Sequence, residues 1–333
     1  MGNMENYVLL DLFHCLSVTW LFGDSLSDKE PLVSVLMCCY REPDNYLRLA
    51  IESILNQTYD NLEIVLVVDD PRNREAQQIV RSYSIGDNRI VPIFNERNLG
   101  LASSLNKAIR HARGEYYCRM DSDDISKKTR IEKQLSYLRD NNLDLVGSYL
   151  DVVDEDSDFL YRVTNIPTQP RSIGSALRYN NCVPHPSWFG RSVVFREGYR
   201  EVSFAEDYDF LIRAVLRGFK IGNVPDELVD YRMSPNSISR SNMYKQYLTQ
   251  KYLTKLYSRG EQAEIDELNH FLNSMYDEDK DRHYSEANRR FNSGLASLRQ
   301  GFNFPAVKDI ASAPLLSPSY FVKLIRMVRA SIC

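Results

Sequence analysis

The sequence lacks several features that would place a protein in a common functional class. No run of apolar residues reaches the roughly 18 to 20 that a membrane-spanning helix needs. The six cysteines include no C-x-x-C pair and no histidine partner at zinc spacing. The formal net charge is only -4, so the chain as a whole has no attraction for nucleic acid. We therefore expect no zinc module and no nucleic-acid partner, and we interpret the cysteines as reduced thiols in a cytoplasmic protein.

The composition indicates one substantial core with a smaller region beside it. Of 333 residues, 43% are hydrophobic and 26% are charged, which argues against disorder as the main state. Residues 1–30 form a leader to which the sequence assigns no role. Its apolar stretch, residues 8–22, is interrupted by Asp11 and His14 and lacks the basic start of a signal peptide.

Strands and helices alternate from residue 31 onward. Short apolar runs at residues 33–37, 62–68, 90–94 and 116–120 predict strands, and each of the first three is followed by apolar residues at helical spacing. Such alternation implies an α/β fold with a doubly wound, mainly parallel, Rossmann-like sheet. Ligands of such sheets gather beyond the carboxyl ends of the strands.

The pattern changes in the second half of the chain. It weakens after Leu150, and from about residue 241 the sequence is rich in Tyr, Leu, Lys, Glu and Asn, which favours helices. We therefore divide the chain into the leader, an α/β domain at residues 31–240 and a helical C-terminal region at residues 241–333.

Carboxylates cluster at the predicted strand ends. Asp121, Asp123 and Asp124 follow a strand directly, and like charges so close together need a positive partner. Oxygen ligands without His or Cys suit Mg or Mn, whereas the alternative is a solvated acidic helix end. Asp69 and Asp70 lie at the same predicted edge, with capping of the next helix as the alternative.

Four further residues are candidates for substrate chemistry. Glu206 and Asp207 precede a helical stripe and could supply a general base, although acidic residues are also common at helix starts. His185 lies between two prolines and could orient a substrate, or be purely structural. Arg232 could neutralise a diphosphate, and its alternative is an ordinary surface arginine.

The order and spacing of these segments resemble family 2 glycosyltransferases across about residues 31–240. The matching segments are residues 33–35 through Tyr40, 53–59, 67–70, 98–100 with Asn106, 114–116, 119–124 and 206–209. The resemblance implies a GT-A fold that binds a nucleotide diphosphate sugar and a divalent metal, Mn or Mg.

The resemblance also implies roles for individual residues. Tyr40 and Asp70 look like the pair that recognises uracil, Asp123 and Asp124 like the ribose and metal contacts, and Asp207 like the catalytic base. The remaining candidates are Glu206 beside the base, Glu42, Asn98, Asp121 and Arg232 on the nucleotide sugar, and His185 on the acceptor side.

Two departures from the family pattern stand out. Asp70 is followed by Pro71 and Arg72 where Gly-Ser is more usual, which affects the local nucleotide contacts. The Q-x-x-R-W motif of processive synthases is excluded, because the two tryptophans are Trp20 and Trp188. We therefore expect one sugar to be added per encounter.

The resemblance implies an inverting enzyme that moves a hexose or N-acetylhexosamine from a UDP-sugar to a saccharide hydroxyl. The acceptor would be a lipid-linked saccharide in surface polysaccharide synthesis. A sugar nucleotidyltransferase is the alternative enzyme, but residues 38–42 do not form a glycine-rich, basic phosphate loop. A non-catalytic nucleotide-sugar-binding protein would show binding without turnover.

Residues 316–333 predict an amphipathic helix with a basic face. Lys323, Arg326 and Arg329 fall within about 120° of one another, and apolar residues occupy most of the remaining arc. Two placements are open: the helix docks on the domain with its cations in water, or it lies in the membrane interface against anionic lipid. The second would make the protein peripheral on the inner face of the cytoplasmic membrane.

Overall fold

The structure is a computed structural model that describes residues 30–202, 204–233, 242–300 and 304–333. Its first half alternates strands and helices as the sequence predicts. The elements are β1 (Val33–Cys39), α1 (Asp44–Leu55), β2 (Leu62–Val68), α2 (Arg74–Gly86), β3 (Ile90–Phe94), α3 (Leu101–His111) and β4 (Tyr116–Asp121).

The chain continues with shorter strands and then with helices. The strands are β5 (Ile125–Ser126), β6 (Leu145–Val153), β7 (Phe159–Val163), β8 (Phe189–Arg191) and β9 (Ile221–Arg232). Three helices lie among them: α4 (Arg130–Asp140), α5 (Pro170–Ala176) and α6 (Glu206–Leu216). The C-terminal helices are α7 (Met243–Tyr257), α8 (Ile265–Met275), α9 (Glu278–Gln300), α10 (Phe304–Leu316) and α11 (Pro318–Ile332).

The strands form one mixed sheet with the order β3-β2-β1-β4-β8-β6-β9-β5, and β7 pairs with β6. The ladders β1–β2, β1–β4, β2–β3 and β6–β9 are parallel. Strand β8 runs antiparallel to both β4 and β6, and so joins the two parallel parts. The predicted α/β class, with a mainly parallel sheet and helices at the C-terminus, is confirmed.

Burial on both faces explains the continuous apolar strands. All seven residues of β2 are buried between two layers of helices. The polar exception is Glu63, whose carboxylate accepts from Ser34 Oγ over 2.7 Å and from Arg113 Nη2 over 2.7 Å. A buried carboxylate is tolerated there because it is hydrogen-bonded and paired.

Strand register brings the predicted site segments together. Cys39 of β1 lies opposite Val68 of β2, and Cys38 lies opposite Asp121 of β4. The three strands therefore end at one edge of the sheet, and their polar extensions meet there. This is the edge where ligands of doubly wound sheets bind.

The described residues from Leu32 onward belong to one compact unit. The predicted leader at residues 1–30 lies almost wholly outside the described residues, as does the segment that follows Met233. Among the helices that the structure describes, none combines the length and apolar character needed to cross a bilayer. The predicted C-terminal helix is present as α11, but Arg326 points to Tyr179 of the domain rather than into water.

Candidate active site

Three carboxylates form a potential metal site at the end of β4. One oxygen from each of Asp121, Asp123 and Asp124 can be chosen so that all three lie within 4.8 Å of one another. Burial and then the Asp121 charge raise the pKa of Asp123 to about 7, and the same causes raise the pKa of Asp124. Assembling these charges is unfavourable unless a cation offsets them.

Asp124 offers a buried oxygen to such a cation. Its Oδ1 accepts the main-chain N–H of Arg232 over 2.7 Å, whereas its Oδ2 is buried with no hydrogen-bond partner among the described residues. A buried polar atom without a partner is costly, so an unobserved ligand is the simplest explanation. Oxygen ligands of this type fit Mg or Mn.

Arg119 supplies one positive charge to these acids in addition to any bound metal, and no sequence pattern singled it out. Its side chain is 3% exposed and forms an ion pair with Asp121. Burial works against its charge, but the neighbouring carboxylate outweighs burial and raises its pKa. A basic residue in a strand whose other residues before Asp121 are Tyr, Cys and Met was the signal that could have revealed it.

Asp70, a predicted uracil contact, is held by neighbouring donors. Its Oδ1 accepts the main-chain N–H of Arg72 over 3.0 Å, and its Oδ2 accepts from Arg41 Nε over 2.7 Å. Both bonds lower the pKa of Asp70, the first more strongly. Because Arg72 donates through its main chain, its departure from the usual family residue leaves this contact intact. Arg41 also lies 4.7 Å from the ring centroid of Tyr40.

The neighbouring Asp69 fixes the loop that carries Asn98. Its buried carboxylate accepts from Asn95 Nδ2 over 2.7 Å and from the main-chain N–H of Gly100 over 2.9 Å. Asn98 is exposed and accepts from the same N–H over 2.8 Å. Neither Asp69 nor Asp70 caps α2, because the cap is Asn73.

Glu42 bridges the β1 loop and the acidic cluster. Its Oε2 accepts the main-chain N–H of Tyr40 over 2.7 Å. Burial raises the pKa of Glu42, and the charge of Asp121 adds to the increase. The structure thus brings Glu42 to the predicted nucleotide edge.

The first turn of α6 separates its carboxylates into two kinds. Glu206 and Asp207 are partly exposed, whereas Asp209 is 1% exposed and pairs with Arg213 over 2.9 Å and with Arg200 over 3.0 Å. Asp209 therefore stabilises the fold. The other two carboxylates remain available for chemistry.

Asp207 is positioned by two hydrogen bonds. Its Oδ2 accepts from Asn181 Nδ2 over 2.7 Å and its Oδ1 from the main-chain N–H of Tyr208 over 2.7 Å. Burial raises the pKa of Asp207, and burial followed by the Asp207 charge raises the pKa of Glu206 to about 7. The charge of Arg119 opposes both increases, so the cation lies close enough to act on this pair and on the metal-binding acids.

His185 forms an aromatic cluster with Trp188 and Tyr199, the His185 cluster, and the charges of Asp207 and Glu206 act on Tyr199. Its Nε2 lies 2.8 Å from Tyr199 Oη, and its ring meets the Trp188 ring edge-on at 4.6 Å. Burial and then the charge of Arg119 lower the pKa of His185, so the ring is neutral at physiological pH. The main chain of Tyr199 is fixed in turn by Asn106, which accepts its N–H over 2.7 Å.

Arg232 is buried, so the interpretation as an ordinary surface arginine is wrong. Arg232 is 2% exposed, and its Cζ lies 4.1 Å from the ring centroid of Tyr46. Its Nε donates to the main-chain oxygen of Asp123 over 2.9 Å, and its Nη1 donates to that of Asp154 over 2.9 Å. Arg232 thus holds the acidic segment in place, and its contact with a diphosphate remains a prediction.

Comparison with known proteins agrees with this architecture. The sequence model described as Glycosyl transferase family 2 matches residues 34–202. An uncharacterized glycosyltransferase of Methanocaldococcus jannaschii is 34% identical over 250 residues, which cover 74% of this chain and 84% of the relative. The O-antigen biosynthesis glycosyltransferase WbnJ of Escherichia coli is 31% identical over 214 residues, which cover 63% of this chain and 83% of WbnJ.

A third relative carries a more specific name. It is the UDP-Glc:alpha-D-GlcNAc-diphosphoundecaprenol beta-1,3-glucosyltransferase WfaP of Escherichia coli, 30% identical over 232 residues that cover 67% of this chain and 86% of WfaP.

Two solved structures share the fold at low sequence identity. TarS of S. aureus, residues 1–349 with UDP, has a TM-score of 0.55 and 18% identity, and the match covers 87% of this chain and 91% of TarS. The mannosyltransferase PcManGT of Pyrobaculum calidifontis, with GDP-Man and Mn2+, has a TM-score of 0.55 and 16% identity, with coverages of 96% and 93%.

The carboxylate-lined edge of a mainly parallel sheet and these likenesses define a glycosyltransferase with a GT-A fold. The chain belongs to glycosyl transferase family 2. The membership predicted from the sequence is confirmed, and the alternatives of a sugar nucleotidyltransferase and a non-catalytic binding protein are set aside.

Proposed function

We propose that the enzyme is a metal-dependent, inverting, non-processive transferase that moves a hexose or N-acetylhexosamine from a UDP-sugar to a saccharide hydroxyl. The observation that carries the proposal is the cluster of Asp121, Asp123 and Asp124 at the end of β4, whose oxygens lie within 4.8 Å of one another and include the buried, unpartnered Oδ2 of Asp124. Arg119 forms an ion pair with Asp121, and its charge also acts on the Glu206–Asp207 pair, so leaving-group and nucleophile chemistry can meet in one site.

The donor half of the site is formed by the ends of β1, β2 and β4. Asp121, Asp123 and Asp124 would hold Mn or Mg, with the buried Oδ2 of Asp124 among the ligands. The metal would neutralise charge on the departing diphosphate. Tyr40, Glu42, Asp70 and Asn98 would contact the UDP-sugar together with Asp121 and Asp123, and Arg232 would face the diphosphate.

The acceptor half is formed by the start of α6 and the His185 cluster. Asp207 would accept the proton of the attacking hydroxyl as the bond from that oxygen to the anomeric carbon forms and the bond to the diphosphate breaks. The raised pKa of Asp207 strengthens it as a base. Asn181 and the Tyr208 N–H fix its orientation. Glu206 lies next to it and His185 would contact the acceptor.

A lipid-linked saccharide is the acceptor class that we infer, in surface polysaccharide synthesis at the cytoplasmic side of the membrane. The support comes from two relatives: WfaP is a glucosyltransferase for a diphosphoundecaprenol-linked sugar, and WbnJ is an O-antigen biosynthesis enzyme. The choice of UDP is supported by the sequence resemblance and by the nucleotide bound to TarS.

A thermal-shift screen of nucleotide sugars tests the proposal. A ligand that binds only the native state raises its melting temperature. We expect UDP-sugars to stabilise the protein with Mn present and to lose this effect with a chelator, whereas GDP-sugars do not stabilise it. The stabilising donor should then release UDP when a saccharide acceptor is supplied. A panel in which no UDP-sugar stabilises the protein contradicts the proposal.

A further inference from the structure

Helix α11 is docked through its basic side. Arg326 donates from Nε to the main-chain oxygen of Tyr179 over 2.8 Å and from Nη2 to Thr254 Oγ1 over 3.2 Å. Lys323 Nζ lies 5.7 Å from the ring centroid of Tyr284 in α9, and Arg329 Cζ lies 5.8 Å from that of Tyr179. All three cations of the helix therefore contact the rest of the chain.

The other side of α11 presents an exposed apolar stripe. Phe321, Ile325, Val328 and Ile332 follow one another at intervals of four, three and four residues, which places them on one face of a helix. They are 47, 38, 59 and 78% exposed. We call these four residues the α11 stripe. A continuous apolar stripe on a surface is typical of a contact site.

The charge of α11 discriminates between occupants of this stripe. From Pro318 to Cys333 the side chains include three basic residues and no acidic one. Arg329 is exposed, and at about 100° per residue it lies about 40° beyond Ile325, next to one edge of the stripe, with its Cζ 5.8 Å from the ring centroid of Tyr179. A second copy of the chain would bring two positively charged helices together. An anionic lipid surface would instead supply phosphates to Arg329 and an apolar layer to the stripe.

We propose that the α11 stripe is the surface through which the protein contacts an anionic lipid bilayer. The sequence pattern left docking and membrane contact as alternatives, whereas in the structure the basic side docks and the stripe, with Arg329 at its edge, is the side that would meet the lipid. The inference rests in part on the proposed function, because a lipid-linked acceptor is presented at the same surface.

The docked side of α11 connects this surface to the acceptor half of the site. Arg326 binds the main-chain oxygen of Tyr179, two residues before Asn181, and Asn181 donates to Asp207 over 2.7 Å. A single short segment therefore holds both the helix and the candidate base. Contact of the stripe with a bilayer would bring the acceptor side of the site close to the membrane.

Co-sedimentation of the full chain with lipid vesicles tests this proposal. The vesicles contain phosphatidylcholine with or without phosphatidylglycerol, at low salt and without acceptor. The stripe variant combines Phe321→Gln with Val328→Gln. Its matched control combines Phe159→Gln with Leu160→Gln, which replaces a phenylalanine and an aliphatic residue that are 58 and 40% exposed on β7. All of these side chains are exposed, so folding should be preserved.

We expect the wild type and the control to sediment with phosphatidylglycerol vesicles, and the stripe variant to partition at least about tenfold more weakly. Equal sedimentation of the stripe variant overturns the proposal. So does a wild type that ignores vesicles but forms a dimer that the stripe substitutions dissociate. Calorimetric binding of UDP is measured on the same preparations, so a failure of the proposed donor is recognised separately from a failure of lipid contact.

Discussion

Asn181 and Asp207 are joined by a hydrogen bond of 2.7 Å from the amide Nδ2 to the carboxylate Oδ2. The bond links the loop before the 3-10 turn His185–Ser187 to the start of α6. Together with the N–H of Tyr208, it aims one carboxylate of an acidic pair. Because orientation matters as much as basicity for proton transfer, this relationship favours Asp207 over Glu206 as the base.

Replacement of Asp207 by Asn should lower turnover by about two to four orders of magnitude, because a positioned base is lost. UDP affinity should stay near the wild-type value, since the residue lies on the acceptor half. Steady-state rates and UDP titration measure the two effects. Glu206→Gln is the control: if it loses more activity than Asp207→Asn, the base is Glu206.

Removal of the Asn181 amide should shift the pH dependence of turnover. The bond stabilises the charged carboxylate and so lowers the pKa of Asp207. In Asn181→Ala that pKa rises, and the base is protonated at higher pH than in the wild type. The acidic limb of the rate profile should therefore move to higher pH. A uniform loss of activity without this shift would mean that Asn181 has only a structural role.

The buried Asp209 should behave differently from its neighbour. Asp209→Asn removes the buried carboxylate that pairs with Arg213 and Arg200, and breaking a buried pair from one side costs about 3 kcal/mol. We expect urea unfolding to show this loss, and to show little change for Asp207→Asn. Similar stability of both variants would contradict the division of roles in α6.

Much of the fold could be predicted from the sequence because its central strands are buried on both faces. The run Leu62–Val68 is buried throughout and apolar except for Glu63, and it ends at turn residues, so its predicted bounds match the structure. The bounds of the apolar edge strand Ile90–Phe94 match as well. Strand β8 could not be predicted, because it has three residues, too few to show a period, and because its partners β4 and β6 are distant in sequence.

Site residues were predicted where a local sequence pattern marks them, and they were missed where their role depends on tertiary contacts. The acids of residues 121–124 follow a strand and are visible as a cluster. The roles of Arg119 and Arg232 depend on partners that no spacing reveals. An amphipathic pattern defines two faces of α11 but does not show which face docks on the domain. The hydrogen bond from Arg326 to the Tyr179 carbonyl shows that the basic face docks.

The metal-free protein should be less stable at pH 8 than at pH 5. The pKa of Asp123 is about 7 in the folded chain, against about 3.9 for an unfolded aspartate. The folded state therefore binds a proton more tightly, and this stabilisation is complete below pH ~4 and lost as the pH rises through ~7.

In Asp123→Asn no carboxyl group deprotonates at this position as the pH rises. The variant should therefore avoid part of the decrease in stability at high pH, on the order of 2 kcal/mol after solvent screening. Its melting temperature without metal should exceed that of the wild type at pH 8, and Mn should no longer stabilise it. Parallel melting curves from pH 5 to pH 8 provide the measurement. If the melting temperature of the variant depends on pH as that of the wild type does, Asp123 is not the source of the lower stability at high pH.

The central claim is that a divalent metal held by the acids at the end of β4 binds the donor nucleotide. The most direct measurement is calorimetric titration of UDP into the wild type and into Asp124→Asn, with Mn or with a chelator. The variant keeps an acceptor for the Arg232 N–H and loses the charged oxygen that has no partner. We predict tight UDP binding only for the wild type with Mn. UDP binding of equal strength in the variant, or in the chelator, would contradict the account.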